Sequence, residues 1–343
     1  MSSLRGIRLG AIGAARITPS ALLDPARFVP SVQISAIASR SIERATAMAQ
    51  RYGVNKVHKS YQDLLADPNI DAVYIALPNA YHAEFIIQAL QEGKHVLCEK
   101  PLTSNCAEAR YLQAAITENP KQVVMDAYHW RYHPIADDIL NSLPRLGRIR
   151  SIQTSCAFPL LRPRDIRWEL ALAGGAMMDV GCYPLSFLTL VSDANPRVLT
   201  ASALTYKKQI DRRTDVALLS VDGVNISMTA SMLSRRLMCR RARIEGTDGV
   251  MQIRNPFAAH RHGYISLTTA GVTDTITYPS RPTTYQYQLQ AFAAAINGDG
   301  ANRTPVQESL RIMTLVDEIY AAADLYPRPS RLGLQDEHTR SAA

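Results

Sequence analysis

A change of grammar near residue 148 constrains this chain more than any other feature. Before it, short β-rich runs alternate with helical runs; after it, strand-like runs succeed one another across turns. Alternation predicts a parallel sheet with helices on both faces, and succession predicts hairpins. In the first part, strands are expected at residues 7–12, 32–38, 57–58, 72–77, 95–98 and 123–127. Thr18-Pro19, Ser41 and Ser60 read as helix starts, and Gly53 and Gly93 as stops. In the second part, strands are expected at 149–157, 198–206, 216–221, 226–232, 243–246, 250–253, 264–269 and 273–278. Asp222-Gly223 and Thr247-Asp248-Gly249 punctuate them. Two helices follow: one carries the stripe Tyr285, Leu289, Phe292, Ile296, and the other spans 306–325. The expected fold class is α/β: an N-terminal Rossmann doubly wound parallel sheet over 1–127, then a C-terminal α+β domain with a mostly antiparallel sheet over 128–326. Residues 327–343, where Pro, Arg and Ser gather, are expected to form a flexible tail.

Composition agrees with two cores, since a chain of 343 residues with 47% apolar positions exceeds what one usually serves. No apolar run approaches the ~20 residues of a membrane helix, and the N-terminal apolar stretch is too short and glycine-broken for a secretory signal. The five cysteines are scattered, with no metal-ligand spacing, and read as reduced thiols of a cytoplasmic protein. The formal charge of +8 raises nucleic-acid binding as a question. Its densest stretch, Arg235 to Arg243, lacks aromatic interleaving and reads as a solvated hairpin surface. An anionic small-molecule ligand accounts for a basic excess equally well.

The turn after the first strand points to that ligand. Gly10-Ala11-Ile12-Gly13-Ala14-Ala15 is a variant of the dinucleotide fingerprint, which needs a tight turn and backbone open to a pyrophosphate. At the end of the second strand, where NAD sites place a carboxylate, stands Ser39-Arg40-Ser41. A guanidinium with two hydroxyls suits the 2′-phosphate of NADP, with NAD as the less favoured cofactor.

Other polar residues fall at the carboxyl ends of the parallel strands, where open α/β sheets bind ligands. They are Pro78, Asn79 and His82; Glu99-Lys100-Pro101; and the segment from Tyr128 to Pro134, which includes Arg131. Lys100 also suits a surface loop, and His82 a helix start. In the second domain, Gly174-Gly175 leads to Asp179 and Tyr183, four apart and so on one side of a helical turn; Pro184 makes the segment either a helix start or a kinked turn. An N-cap Asp beside a half-buried Tyr fits the same spacing. Arg164, Arg167 and Trp168 form a basic, aromatic loop that suits either substrate recognition, with Trp168 stacking on a ring, or plain exposure. No metal site is expected.

Taken in order, Gly10-x-x-Gly13-x-Ala15, Pro78-Asn79-x-x-His82, Glu99-Lys100-Pro101, Arg131-x-x-Pro134 and Gly174-Gly175-x-x-x-Asp179-x-Gly181-x-Tyr183 closely resemble the Gfo/Idh/MocA oxidoreductases over residues 6–325. Tyr183, where many inositol dehydrogenase-like members carry His, is similar to the NADP-dependent dihydrodiol and xylose dehydrogenase branch. So are the segments 125–134 and 165–168. Asp126 stands where the family usually has Glu. The export signal and cofactor-wrapping arm of glucose–fructose oxidoreductase have no counterpart, so the cofactor is expected to exchange. The resemblance implies a large, open-faced second sheet used for homodimer or homotetramer contacts, and Lys100, Asp179 and Tyr183 as the catalytic group.

The reaction so implied is hydride transfer between NADP(H) and a carbinol carbon of a sugar, polyol or cyclic diol. Tyr183 is the first choice for the proton and Lys100 the second, with the Lys100 ammonium stabilising phenolate. Two rivals stand beside it: a non-catalytic NADP-binding regulator, and a glycosidase-type enzyme with tightly held cofactor. No nucleic-acid or membrane partner is expected.

Overall fold

The computed structural model describes residues 6–192, 195–233 and 238–334. Six strands, β1 (Ile7–Ile12), β2 (Val32–Ala38), β3 (Lys56–His58), β4 (Ala72–Ile75), β5 (His95–Cys98) and β6 (Val124–Asp126), pair in parallel in the order β3-β2-β1-β4-β5-β6. This is the doubly wound Rossmann order, with its switch point between β1 and β4. β4 and β6 are buried along their whole length, as strands covered on both faces must be. Local chemistry sets the helices between them. The Ser41 hydroxyl caps Ile42–Tyr52, and Gly53 ends that helix at φ 69°.

The second sheet has eight strands in the order β14-β13-β12-β11-β7-β10-β9-β8. These are β7 (Ile149–Ala157), β8 (Arg197–Lys207), β9 (Ile210–Leu219), β10 (Asn225–Ser231), β11 (Cys239–Gly246), β12 (Gly249–Arg254), β13 (Tyr264–Thr269) and β14 (Val272–Thr277). All pairs are antiparallel except β10 with β7. Register aligns Leu218, Ile226, Ile152, Ile244, Met251 and Leu267 into one buried row across six strands. Residues of the other parity, such as Gln153, Arg241 and Gln252, are exposed, so one face of the sheet is open. The buried face packs on the apolar helix Cys182–Val191, entered through a π-helical turn, Met177–Gly181, that carries Asp179. Pro184 falls in the first turn of that helix, and the Asp179 carbonyl in the turn before it accepts from Lys100 Nζ.

Two expectations about domain organisation change. The helix Thr284–Asn297 lies late in the chain but packs on the first domain, with Leu289, Phe292 and Ala293 in the Rossmann core. Its apolar stripe covers the parallel sheet, so the second sequence block returns to the first. The tail does not start at 327. Arg328 is 1% exposed and its Nη2 pairs with Asp211 at 2.8 Å, both side chains fully buried, while its Nε donates to the Gly174 carbonyl at 2.6 Å. Residues 335–343 lie outside the described residues.

Candidate active site

A cleft of about 1250 Å³ follows the carboxyl ends of β1, β2, β4 and β5 and is closed on its far side by the second domain. It is larger than a drug-sized pocket, with room for a dinucleotide and a small substrate together. Its floor begins at the glycine turn. Gly13 sits at φ 103°, and a Cβ there would meet the Ala76 carbonyl oxygen at 2.5 Å, so only glycine fits. Its N–H donates to Ala38 O at 2.8 Å, and the Thr18 hydroxyl donates to its carbonyl at 3.0 Å. Thr18 therefore braces the turn, where a helix cap was expected. Ala14 and Ala15 border the cleft. Gly10 and Ile12 do not: the missing Cβ of Gly10 makes room for Leu64, and Ile12 is buried beneath the sheet.

At the end of β2, Ser39 and Arg40 line the cleft, joined by Arg44 and Tyr61. Ser41 is spent as a cap, accepting from Arg44 N–H at 3.3 Å and donating to Glu43 at 2.6 Å. Among the described residues of this strand end that line the cleft there is no carboxylate, and the donor set is cationic. Backbone opening and charge thus both fit a phosphorylated dinucleotide.

Pro78 and Asn79 line the middle, and Asn79 Nδ2 holds the Ala173 carbonyl of the second domain at 3.0 Å. His82 does not line the cleft and ties loops behind it. Fully buried, its Nδ1 lies 2.8 Å from Pro101 O and its Nε2 2.9 Å from Leu77 O, locking the two strand-end loops together. Arg131 likewise lies outside the cleft lining: Nη1 donates to Ser186 O at 2.8 Å beneath the Trp130 ring. Trp168, expected to face a ligand ring, is absent from the cleft lining. It is 1% exposed, its Nε1 donates to Arg162 O at 3.1 Å, and its ring lies 4.5 Å from that of Tyr206. A large indole at the root of a loop is worth more buried than displayed. Arg164 and Arg167 do border the cleft.

Glu99 and Lys100, after β5, meet the second domain here. Lys100 Nζ donates to the Asp179 carbonyl at 2.7 Å and to Asp179 Oδ1 at 3.2 Å, and stands 4.8 Å from the centre of the Tyr183 ring. Arg167 Nε takes the other carboxylate oxygen, Oδ2, at 2.7 Å. Burial alone would raise the Asp179 carboxyl, but the Lys100 and Arg167 cations bring it below the ordinary carboxylate range. Burial pulls Lys100 down, and Asp179, with Cys182 and Glu99, more than reverses this, so Lys100 is an ammonium. Tyr183 is a neutral phenol, pushed well up first by burial and then by Tyr285 and Glu99. Its hydroxyl lies 3.3 Å from His129 Nε2.

Sequence reading missed Arg44, Tyr61, Tyr285, His260 and Arg261, all of which line the cleft. Arg240, assigned to a solvated hairpin, lines it too, because β11 pairs with β7 and carries its residues to the cleft wall; Arg235 and Arg236 lie outside the described residues. No signal in the sequence separates these arginines from surface ones. Among the described residues, no His, Cys, Asp and Glu cluster could hold a metal.

A Rossmann cleft where an ammonium at the strand ends meets an acid and a phenol from the second domain defines a dinucleotide-dependent oxidoreductase fold. Comparison with known proteins agrees: residues 7–127 match the oxidoreductase family with an NAD-binding Rossmann fold (GFO_IDH_MocA), and residues 144–252 match the GFO/IDH/MocA C-terminal domain. The chain belongs to the Gfo/Idh/MocA family. It is 33% identical to an NADP(+)-dependent D-xylose 1-dehydrogenase of Haloferax volcanii, over 86% of this chain and 93% of the relative. It is 33% identical to a trans-1,2-dihydrobenzene-1,2-diol dehydrogenase of Xenopus laevis, over 64% of this chain and 67% of the relative. Among solved structures, a 3-ketoreductase of Actinomadura kijaniata in complex with NADP and TDP-benzene superposes with a TM-score of 0.84 at 28% identity, covering 93% of this chain and 98% of that one.

Proposed function

We propose that this protein is an NADP(H)-dependent oxidoreductase acting at a carbinol carbon of a sugar, polyol or cyclic diol. The observation that carries this reading is the convergence of Lys100, Asp179 and Tyr183, from two domains, at the cleft beside the glycine turn. NADP supplies the hydride-transfer chemistry when bound. Gly13, Ala14 and Ala15 offer it open backbone, and Ser39, Arg40 and Arg44 offer hydroxyl and guanidinium donors for a 2′-phosphate. Tyr183 exchanges the hydroxyl proton of the substrate. Lys100, clamped by Asp179, places a fixed positive charge against the Tyr183 ring and stabilises negative charge as it develops on the phenol oxygen. Asp179 has both oxygens engaged by cations, which makes it a positioning residue for Lys100 and Arg167. Arg164 and Arg167 are available to substrate polar groups at the same wall.

The test is a pair of variants, Lys100→Met and Tyr183→Phe, assayed with NADP and a sugar and diol panel. Turnover is expected to fall by at least ~10²-fold, with NADPH still bound. Near-normal turnover in both ends the proposal. A regulator would bind NADP and reduce none of it with any substrate; a glycosidase-type enzyme would purify with cofactor attached and yield no net NADPH. We also infer a cytoplasmic location, supported by five cysteines that form no disulfide among the described residues. A homodimer or homotetramer through the open face of the eight-stranded sheet completes the reading, and sedimentation of the purified chain tests it.

A further inference from the structure

We infer that His129, Thr284 and His260 form a directed proton conduit from Tyr183 to the water of the cleft. The inference rests on the reading of Tyr183 as the proton-transfer group. Three hydrogen-bond distances build it: Tyr183 hydroxyl to His129 Nε2 at 3.3 Å, His129 Nδ1 to Thr284 Oγ1 at 2.8 Å, and Thr284 Oγ1 to His260 Nδ1 at 3.1 Å. The residues come from four places: the helix Cys182–Val191, the turn His129–Tyr132 after β6, the first residue of Thr284–Asn297, and the loop after Pro256–Ala258. Thr284 is fully buried and His129 nearly so, while His260 is half-buried and lines the cleft with Arg261. The Tyr285 ring lies over the His129 imidazole at 3.9 Å and holds it in place.

One backbone group sets the direction. The Thr284 N–H donates to His260 Nδ1 at 3.3 Å, and a backbone N–H can only donate. His260 Nδ1 is therefore the unprotonated nitrogen, and its proton is on Nε2. The Thr284 hydroxyl, facing the same nitrogen, gives it its single proton. Its oxygen then accepts from His129 Nδ1–H, which leaves His129 Nε2 bare to accept from the Tyr183 phenol. A single fixed donor thus orients every member, and all point outward from the substrate end.

The chemistry calls for such an outlet. Tyr183 enters the reaction as a phenol, so it can take a second proton only as it gives up the first. In the oxidative direction the substrate C–H bond breaks with its electron pair leaving as hydride to NADP, and the O–H bond breaks as its proton joins Tyr183. The phenol proton moves to His129 Nε2, the Nδ1 proton to Thr284 Oγ1, the hydroxyl proton to His260 Nδ1, and the His260 Nε2 proton to water. The carbonyl product, reduced cofactor and one released proton balance the step; reduction runs it backwards. After product leaves, His260 Nε2 takes a proton from water and the chain runs back to the Tyr183 oxygen. Tyr183 gives the proton it took from the substrate to a water in the substrate position, which restores the starting tautomers with one proton in and one out. Neither ring stores the charge. His129 is held well below the ordinary imidazole range by burial and then by His260, Lys100, Arg240 and Arg261. His260 is pushed down to about 4 by burial and then by Arg261 and Arg240.

Nitrogen-15 correlation NMR of the imidazoles in the NADP-free protein reads the tautomers directly. The expected result is a protonated Nδ1 on His129 and a protonated Nε2 on His260; the opposite tautomer on either ring overturns the conduit. In kinetics, Thr284→Val is expected to lower kcat by roughly 10²-fold, the lower end of what a placed proton-transfer group contributes. NADP affinity and KM stay unchanged, and Thr284→Ser restores the rate. A bowed proton inventory in mixtures of light and heavy water should become linear in Thr284→Val. If that variant folds poorly, His260→Ala with added imidazole replaces it, where regained turnover is expected and its absence counts against the conduit. Wild-type turnover and a bowed inventory in Thr284→Val refute it outright. Full activity in Tyr183→Phe would instead remove the reading of Tyr183, leaving the tautomer result to stand alone.

Discussion

Replacing Arg328 by Met separates a docked chain end from a loose one. Arg328 makes three divergent donations, from Nε to Gly174 O at 2.6 Å, from Nη1 to Tyr326 O at 3.1 Å and from Nη2 to Asp211 Oδ1 at 2.8 Å. Its guanidinium stacks 3.8 Å from the Tyr320 ring centre. Met keeps much of the packing but leaves Asp211 buried without its cation, held by the Tyr320 and Thr214 hydroxyls and Met177 N–H. Removing one partner of a buried pair costs about 3–5 kcal/mol. The unfolding entropy of a chain this long is roughly 0.7 kcal/mol per degree when it melts as one unit, so Tm should fall by about 4–7 °C. Arg328→Lys should recover little, since an ammonium cannot span three divergent acceptors and stack. Calorimetry of the three proteins measures this. A Tm for Arg328→Met within about a degree of wild type would show that the chain end adds nothing to the fold. The same node bears on the site, because Gly175, at φ 123°, is backed by the Asp211 carboxylate and leads directly to Asp179.

Three further outcomes are expected. Gly13→Ala forces a Cβ against Ala76 at a positive φ; it should destabilise the fold by about 1–3 kcal/mol and abolish saturable NADP binding in a fluorescence titration. Arg40→Ala should weaken NADP by about 10- to 10²-fold, the strength of one charged hydrogen bond, and leave NAD affinity unchanged. His133 and His260 are both pushed down to about 4, chiefly by burial, so the folded state binds fewer protons than the unfolded one. Their contribution is whole above the unfolded value near ~6.5 and is lost as pH falls toward about 4. His133→Asn, which keeps an acceptor for Ile135 N–H, should shrink the drop in Tm between pH 7 and 4.5; an unchanged drop would contradict the assignment.

What the sequence determined by itself was local. Strand and helix positions, the glycine turn at Gly13, the strand-end address of Lys100 and the shared turn of Asp179 and Tyr183 follow from periodicity, φ requirements and short spacings. They are written in contiguous residues. The tertiary structure alone decided which polar residues face the cleft. His82, Arg131 and Trp168 look functional in sequence yet tie loops and fill cores, while Arg240 and His260 look incidental and line the site. His129 meets Thr284 across 155 residues, and Arg328 meets Asp211 across 117. Separations of that size leave no periodic trace, because they are set by how two sheets and a returning helix pack and not by any rule along the chain.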